Sequence, residues 1–324
     1  MSFPKILAVG GAHIDRRGQV TGAYVPGASN PGVMAEDVGG GAFNALRNAV
    51  RRGASGAIMS VRGGDAAGET VSRAIASAGI TDLSAIFLDR ATPSYTALLD
   101  RGGDVIAALA DMALYEGAFP KQLRRASFRA AVAEADALLC DANLPADALA
   151  RLAGLVSGKP LFAIAISPAK VARLTGILEA LSCLFMNFRE ATCLAGLPDD
   201  ASVNEIVACL RAMGLSSAVI SRGGAPTVAF DRSGAFSIKP PRPRKIADVT
   251  GAGDALAGAT MVALLRGLPL RGALREGMAA AALAVESPAS APEFSEGDFA
   301  AALALVPEAG ALHQDGMIGE TNDA

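Results

Sequence analysis

The sequence predicts an α/β fold built on a mostly parallel, doubly wound sheet. Three observations carry that expectation. Short apolar runs alternate with longer amphipathic stretches, glycine-rich or polar clusters follow several of those runs, and only two regions break the rhythm. A length of 324 residues suits one large domain or two smaller ones.

In chain order, buried strands are expected at Ile6–Val9, Ala57–Val61, Ala137–Cys140, Leu161–Ile166, Cys183–Met186 and Ala218–Ile220. Helices are expected at 42–52, 66–78, 127–135, 146–156, 168–181 and 202–213, and a long apolar helix after Asp254. The interruptions are 12–38, rich in Gly, Pro, Asn and Asp, and 94–110. The second reads as two strands, Tyr95–Leu99 and Val105–Leu109, joined by the hairpin chemistry of Arg101-Gly-Gly-Asp104. Extended segments inserted in an α/β chain suggest a small β-lid over residues 12–38 and 94–112. The large domain is then 1–11, 39–93 and 113–312, with a polar tail at 313–324. Pro240–Lys245 reads as a solvated connection.

Composition narrows the function. Hydrophobic residues are 51% and charged residues 19%, which excludes a disordered chain. A net charge of −3 gives no electrostatic footprint for nucleic acid. No run approaches the ~18–20 apolar residues of a membrane span, and the N-terminus lacks a basic region and a cleavage site, so a cytoplasmic chain is expected. The four cysteines form no CxxC pair and read as buried thiols. With only His13 and His313, a histidine triad or multi-histidine metal site is nearly excluded.

The most informative segment is Asp248-Val-Thr-Gly-Ala-Gly-Asp254, at the N-terminus of the apolar helix. Free N–H groups and the helix dipole make such an end an anion site, and Gly251 and Gly253 let a phosphate approach the backbone. A carboxylate beside a phosphate is unfavourable unless it has a task, and Asp254 has one if it takes a proton from an attacking hydroxyl. Anion turn plus base is the minimum for a small-molecule kinase. The plainer alternative is an acidic helix start with glycines for the turn. No P-loop occurs, and Gly10-Gly-Ala-His13 lacks the dinucleotide fingerprint that a dehydrogenase needs. Gly39-Gly-Gly-Ala-Phe-Asn44, Asn187-Phe-Arg-Glu190 and Ser221-Arg-Gly-Gly224 add three clusters at predicted element junctions, where open α/β sheets bind ligands.

Together these segments resemble the ribokinase-like (PfkB) family of sugar and nucleoside kinases over about residues 5–305. The resemblance implies a three-layer α/β/α fold with a mostly parallel central sheet and a small β-sheet lid. It implies that Asp254 is the base and that Gly251, Ala252 and Gly253 form the anion hole. Asn187 and Glu190 match the Asn-x-x-Glu motif that supports Mg²⁺ and the ATP phosphates. Ser221 and Gly223 match the nucleotide-binding strand end, and Asp248 and Thr250 match positions tied to a monovalent cation, usually K⁺. Asp15, Gly39, Gly40 and Asn44 match acceptor-binding positions, and the purine pocket is expected near 281–290. Within the family, Ser29-Asn-Pro-Gly32, Ala110-Asp-Met112 with Tyr115-Glu116, Ser167-Pro-Ala-Lys170 and Ser295-Glu-Gly-Asp298 look most like pseudouridine kinases, which adds Lys170 to the acceptor set.

There are departures. His13 stands where the family commonly has asparagine, and Gly41 and Phe43 stand where pseudouridine kinases usually carry a β-branched residue and arginine. Phe43 is read either as core or as a stacking partner for a base. The expected activity is ATP-dependent phosphorylation of a nucleoside 5′-hydroxyl, pseudouridine first. The alternatives are ribose, another nucleoside, or a sugar phosphate held by Arg16, Arg17 and Arg47. A non-catalytic binding protein on the same fold is a further alternative. An apolar lid face suggests a homodimer.

Overall fold

A computed structural model of the chain describes residues 3–287 and 293–312. The tail expected at 313–324 and the end of the purine-pocket stretch lie outside the described residues. The chain divides into two compact units, Met1–Pro160 and Leu161–Ala324.

The N-terminal unit begins with β1 (Lys5–Val9), β2 (His13–Val20), β3 (Gly32–Gly39) and α1 (Gly41–Arg51). It continues through β4 (Ser55–Met59), β5 (Val61–Gly63), α2 (Ala66–Ser77), β6 (Thr81–Asp82), β7 (Ala85–Phe87), β8 (Ser94–Leu99) and β9 (Val105–Asp111). It ends with α3 (Ala113–Gln122), α4 (Ala126–Glu134), β10 (Ala137–Asp141) and α5 (Ala146–Leu155). β1 lies between β10 and β4, parallel to both, and β6 extends the sheet beyond β4. All five side chains of β10 and four of five in β1 are buried, so these strands are continuous apolar runs, as parallel strands covered on both faces must be. The strand expected over Ala57–Val61 is broken at Ser60, where the chain leaves this sheet and β5 pairs with β7 instead.

The two interrupting regions meet in a separate four-stranded sheet of order β3-β2-β8-β9. β2 is antiparallel to β3 and parallel to β8. The β8–β9 hairpin turns through Gly103 at φ 93°, a value natural for glycine. Both edge strands carry exposed apolar side chains, Val33 and Met34 on β3 and Val105 and Leu109 on β9.

The C-terminal unit contains β11 (Leu161–Ile164), α6 (Pro168–Val171), β12 (Cys183–Asn187), α7 (Phe188–Ala195), α8 (Val203–Ala212) and β13 (Ala218–Arg222). Then follow β14 (Ala225–Asp231), β15 (Gly234–Ile238), α9 (Ala252–Leu265), α10 (Leu270–Val285), α11 (Glu296–Ala304) and β16 (Gly310–Ala311). β11, β12 and β13 are parallel, whereas β13 through β16 are antiparallel, so the strands of this unit form a mixed sheet. α9 packs closely on α10: a Cβ at Gly277 would fall 2.0 Å from Thr260 Oγ1 and 2.7 Å from the Leu256 carbonyl.

Two expectations fail here for local reasons. The strand expected to reach Ile166 stops at Ile164, and Ile166 takes φ 71°, a strained value for a β-branched residue, as Ser167 N–H turns back to the Ala165 carbonyl at 2.9 Å. The single helix expected over 168–181 is one α-turn followed by a 3-10 segment, Ala172–Ala180, with Thr175-Gly176 at its centre, a weak pair for an α-helix.

Candidate active site

In the N-terminal unit the acceptor-type residues converge where β1, β3 and α1 meet. Gly40 is the N-cap of α1 at φ 109°, and a Cβ there would lie 2.3 Å from the Gly11 carbonyl. A Cβ at Gly39 would lie 1.8 Å from Asp15 Oδ2, so only a glycine leaves that carboxylate its place. Asn44 lies buried in the first turn of α1, its N–H on the Gly40 carbonyl at 2.8 Å. The structure therefore brings Asp15, Gly39, Gly40 and Asn44 together.

A carboxylate that sequence reasoning passed over ties this cluster. Asp141, fully buried at the end of β10, accepts the N–H groups of Gly11 (2.9 Å), Ala42 (3.0 Å) and Asn143 (2.9 Å). It thereby fixes the ends of β1 and β10 to the start of α1. Removing it would strand three buried donors, at about 1–3 kcal/mol each. The only sequence signal was an acidic residue closing an apolar run, with an asparagine two residues on.

In the C-terminal unit, Asn187 and Ser221 are direct neighbours in register at the ends of β12 and β13. Asn187 Oδ1 accepts Glu190 N–H at 2.9 Å, and Glu190 Oε2 accepts Asn187 N–H at 2.7 Å. This is a reciprocal capping box that starts α7. Glu190 is buried, and desolvation raises its pKa above the ordinary value against the lowering effect of the Asn187 N–H. The pairing of β13 with β14 is irregular between Ile220 and Arg222, around Ser221, and Gly223 turns the chain at φ 59°.

The Asp248–Asp254 segment opens α9 as expected. Asp248 Oδ1 accepts Thr250 N–H at 2.8 Å, Gly251 is the N-cap at φ 80°, and Asp254 sits partly buried in the first turn. The Ala252 N–H already contacts the Val249 carbonyl at 3.3 Å, and the helical ladder begins with Ala255 N–H on the Gly251 carbonyl at 2.9 Å. The helix leaves N–H groups between these without an i−4 partner. Among the described residues, no atom outside its chain neighbours and the α9 backbone lies within 4 Å of a Cβ placed on Gly253. Lys170 is half-buried on α6, which packs on α7.

Other candidates are resolved differently. Phe43 is fully buried with the Arg47 guanidinium 5.1 Å from its ring centroid, so it is core and not a stacking surface for a base. Arg16 is paired with Glu36 at 2.9 Å. Arg16 and Arg47, both weighed for a sugar phosphate, are thus already engaged. A cleft of about 420 Å³ borders the stretch expected to hold the purine, lined by Leu283, Glu286, Ser287, Arg244 and Phe294 among others. Among the described residues no cluster of three or more His, Cys, Asp or Glu could hold a metal ion by itself. No helix among them is long and apolar enough to cross a membrane.

Comparison with known proteins gives the family and fold. The family model described as pfkB family carbohydrate kinase matches residues 4–295. A carbohydrate kinase from Agrobacterium tumefaciens is 46% identical, superposes with a TM-score of 0.84, and is matched over 95% of this chain and 99% of its own. The pseudouridine kinase of Escherichia coli (strain K12) is 27% identical over 286 residues, 87% of this chain and 91% of the relative. An Arabidopsis thaliana ribokinase complexed with ribose and ATP shares the fold at 20% identity and a TM-score of 0.83, over 94% of this chain and 99% of its own.

Proposed function

The chain belongs to the pfkB family of carbohydrate kinases, with a ribokinase-like α/β fold, and is a phosphotransferase acting on hydroxyl groups; from that premise we propose that it uses ATP to phosphorylate the primary 5′-hydroxyl of a nucleoside, pseudouridine first. The observation that carries the chemistry is Asp254 in the first turn of α9, directly after the Gly251 N-cap and a Gly253 with open space around it. The choice of acceptor is supported by the similarity over 87% of the chain to the pseudouridine kinase of Escherichia coli (strain K12).

In this reading Asp254 takes the proton of the attacking hydroxyl. The N–H groups at Gly251, Ala252 and Gly253 receive the charge that develops on the transferring phosphoryl group. Asp15, with Gly39, Gly40 and Asn44, binds the acceptor's hydroxyls, and Lys170 contributes a cation toward it. Ser221 and Gly223 border the nucleotide, whose purine takes the cleft at Leu283 and Ser287.

The oxygen donors present suit hard cations. Glu190 commits Oε2 to the capping box, which leaves its other oxygen, beside the Asn187 amide, for Mg²⁺ arriving with the phosphates. Bound there, the ion would neutralise phosphate charge and offset the desolvation of Glu190. Asp248 and Thr250 offer oxygens for K⁺. The four strands β3-β2-β8-β9 act as the lid, and the exposed Val33, Met34, Val105 and Leu109 on its edges support pairing with a second copy.

The test is ATP consumption with pseudouridine, cytidine, adenosine, ribose and fructose phosphates. Pseudouridine should give the highest kcat/KM, and a clear preference for another acceptor replaces it. Replacing Asp254 with Asn should lower turnover at least ~10²-fold with nucleotide binding retained. Near-wild-type turnover removes Asp254 as the base and revives the non-catalytic alternative. Met34→Lys with Leu109→Lys should shift the chain from dimer to monomer in analytical ultracentrifugation; an unchanged mass rejects the lid as the interface.

A further inference from the structure

We infer that His13 is a positioning residue, which holds the Asp15 carboxylate through its Nε2–H and is itself locked in that tautomer by the phenol of Tyr115. The inference rests on the reading of Asp15 as the acceptor-binding carboxylate.

Three distances carry it. His13 Nε2 lies 3.3 Å from Asp15 Oδ1. His13 Nδ1 lies 3.1 Å from the Tyr115 hydroxyl, and that hydroxyl accepts the Ala12 N–H at 3.1 Å. Among the described residues the His13 Nε2 is the side-chain nitrogen that faces Asp15's carboxylate, and Oδ2 rests on the bare backbone of Gly39. One carboxylate oxygen is thus held by the protein while the other is left for the acceptor.

The chemistry of each atom fixes the proton positions. A ring nitrogen that faces a carboxylate oxygen must carry its proton, or two lone pairs oppose each other. In a neutral imidazole the other nitrogen is then an acceptor, so the phenol must donate to it. Tyr115 can do so because it keeps its proton: it is fully buried, and burial, with the Asp141 and Asp15 carboxylates, drives its pKa far above the ordinary value. The Ser60 hydroxyl lies beside the phenol as well. Tyr115 cannot drift, since its ring packs 5.2 Å from that of Phe119 in the core of α3. His13 is 6% exposed, so water does not compete for either nitrogen. The contact to Asp15 is long for a hydrogen bond, as such contacts often are before substrate tightens them.

The inference is tested first without substrate. The chain has only two histidines, so ¹⁵N NMR of the His313→Gln variant reads one imidazole. Nε2 should be protonated and Nδ1 bare, and Tyr115→Phe should produce a mixture of tautomers. A protonated Nδ1 in the parent, as if the phenol gave its proton to Ser60, overturns the inference.

Kinetics then test the consequence, with whichever acceptor the panel selects. His13→Ala should raise the acceptor KM at least about tenfold, the loss of a hydrogen bond to a charged group, while kcat and the KM for ATP stay within about threefold. His13→Gln places an amide N–H near the site of Nε2 and should recover most of that loss. A merely structural histidine would change thermal stability without this split, and an acceptor KM unchanged in His13→Ala overturns the inference. If no acceptor turns over while the tautomer is as stated, the kinase assignment has failed and the imidazole argument stands.

Discussion

Both units place glycine clusters beside the ends of strands, yet for opposite reasons. In the N-terminal unit the glycines are compelled by the protein's own atoms. A Cβ at Gly10 would meet Ala42 Cβ at 2.6 Å and the Asp141 carboxyl carbon at 2.7 Å, and those at Gly39 and Gly40 would collide with Asp15 and Gly11. In the C-terminal unit, among the described residues and beyond the local backbone, nothing lies within 4 Å of a Cβ on Gly223, Gly224 or Gly253. There the chain needs glycine for a left-handed turn, as at Gly223, or keeps empty space that packing does not explain, as at Gly253. The same motif thus means close packing in one unit and open space in the other.

The largest separation between the two cases should come from Gly39→Ala. Its methyl group must displace the Asp15 carboxylate, and if Asp15 holds the acceptor as proposed, a shift of about 1 Å can reduce kcat/KM by ~10²-fold. The expected signature is a loss in kcat/KM for the acceptor, with the KM for ATP unaffected. Full activity would mean that Asp15 has freedom to move and that the cradle is not rigid. Gly253→Ala should behave in the opposite sense. Alanine in the first turn of α9 meets no clash and gains up to about 1 kcal/mol of helix propensity, so the thermal midpoint should rise. Turnover should nevertheless fall roughly tenfold, because the methyl group would occupy the approach proposed for the phosphate. A Gly253→Ala enzyme both more stable and fully active would erase the distinction.

That distinction also sets what was legible in the sequence. β1, β10, β12 and β13 were visible because strands buried on both faces are apolar without interruption. Ser295-Glu-Gly-Asp298, singled out in the sequence, is the capping box that starts α11, its two members three residues apart. Local chemistry reads locally. The β14–β15 hairpin was missed since its strands follow Gly223-Gly224 and a charged turn and resemble loop, and α3 was missed since it carries Pro120 inside it. The His13–Tyr115 and Gly11–Asp141 bonds join residues 102 and 130 positions apart, so no window along the chain contains both partners. The glycines at 251 and 253 announced themselves as a motif. The compelled ones made sense only once their colliding neighbours were known.

Asn187-Phe-Arg-Glu190 sits between these cases, because it was read as ligand chemistry and the structure shows it as a helix cap. The two roles separate with Glu190→Gln. Glutamine retains an acceptor for the Asn187 N–H, so the capping box survives. The native carboxyl has a raised pKa, so the folded chain binds its proton more tightly than the unfolded chain does. Stability contributed by this group therefore falls as pH rises from the unfolded value through the folded one. At pH 7 the glutamine variant should melt at or slightly above the parent, and this small advantage should vanish at acidic pH, where both side chains are neutral. Turnover at limiting Mg²⁺ should fall all the same, since a neutral amide binds a hard cation less well than a carboxylate. A variant that is both less stable at pH 7 and unchanged in its Mg²⁺ dependence would assign Glu190 to the helix alone.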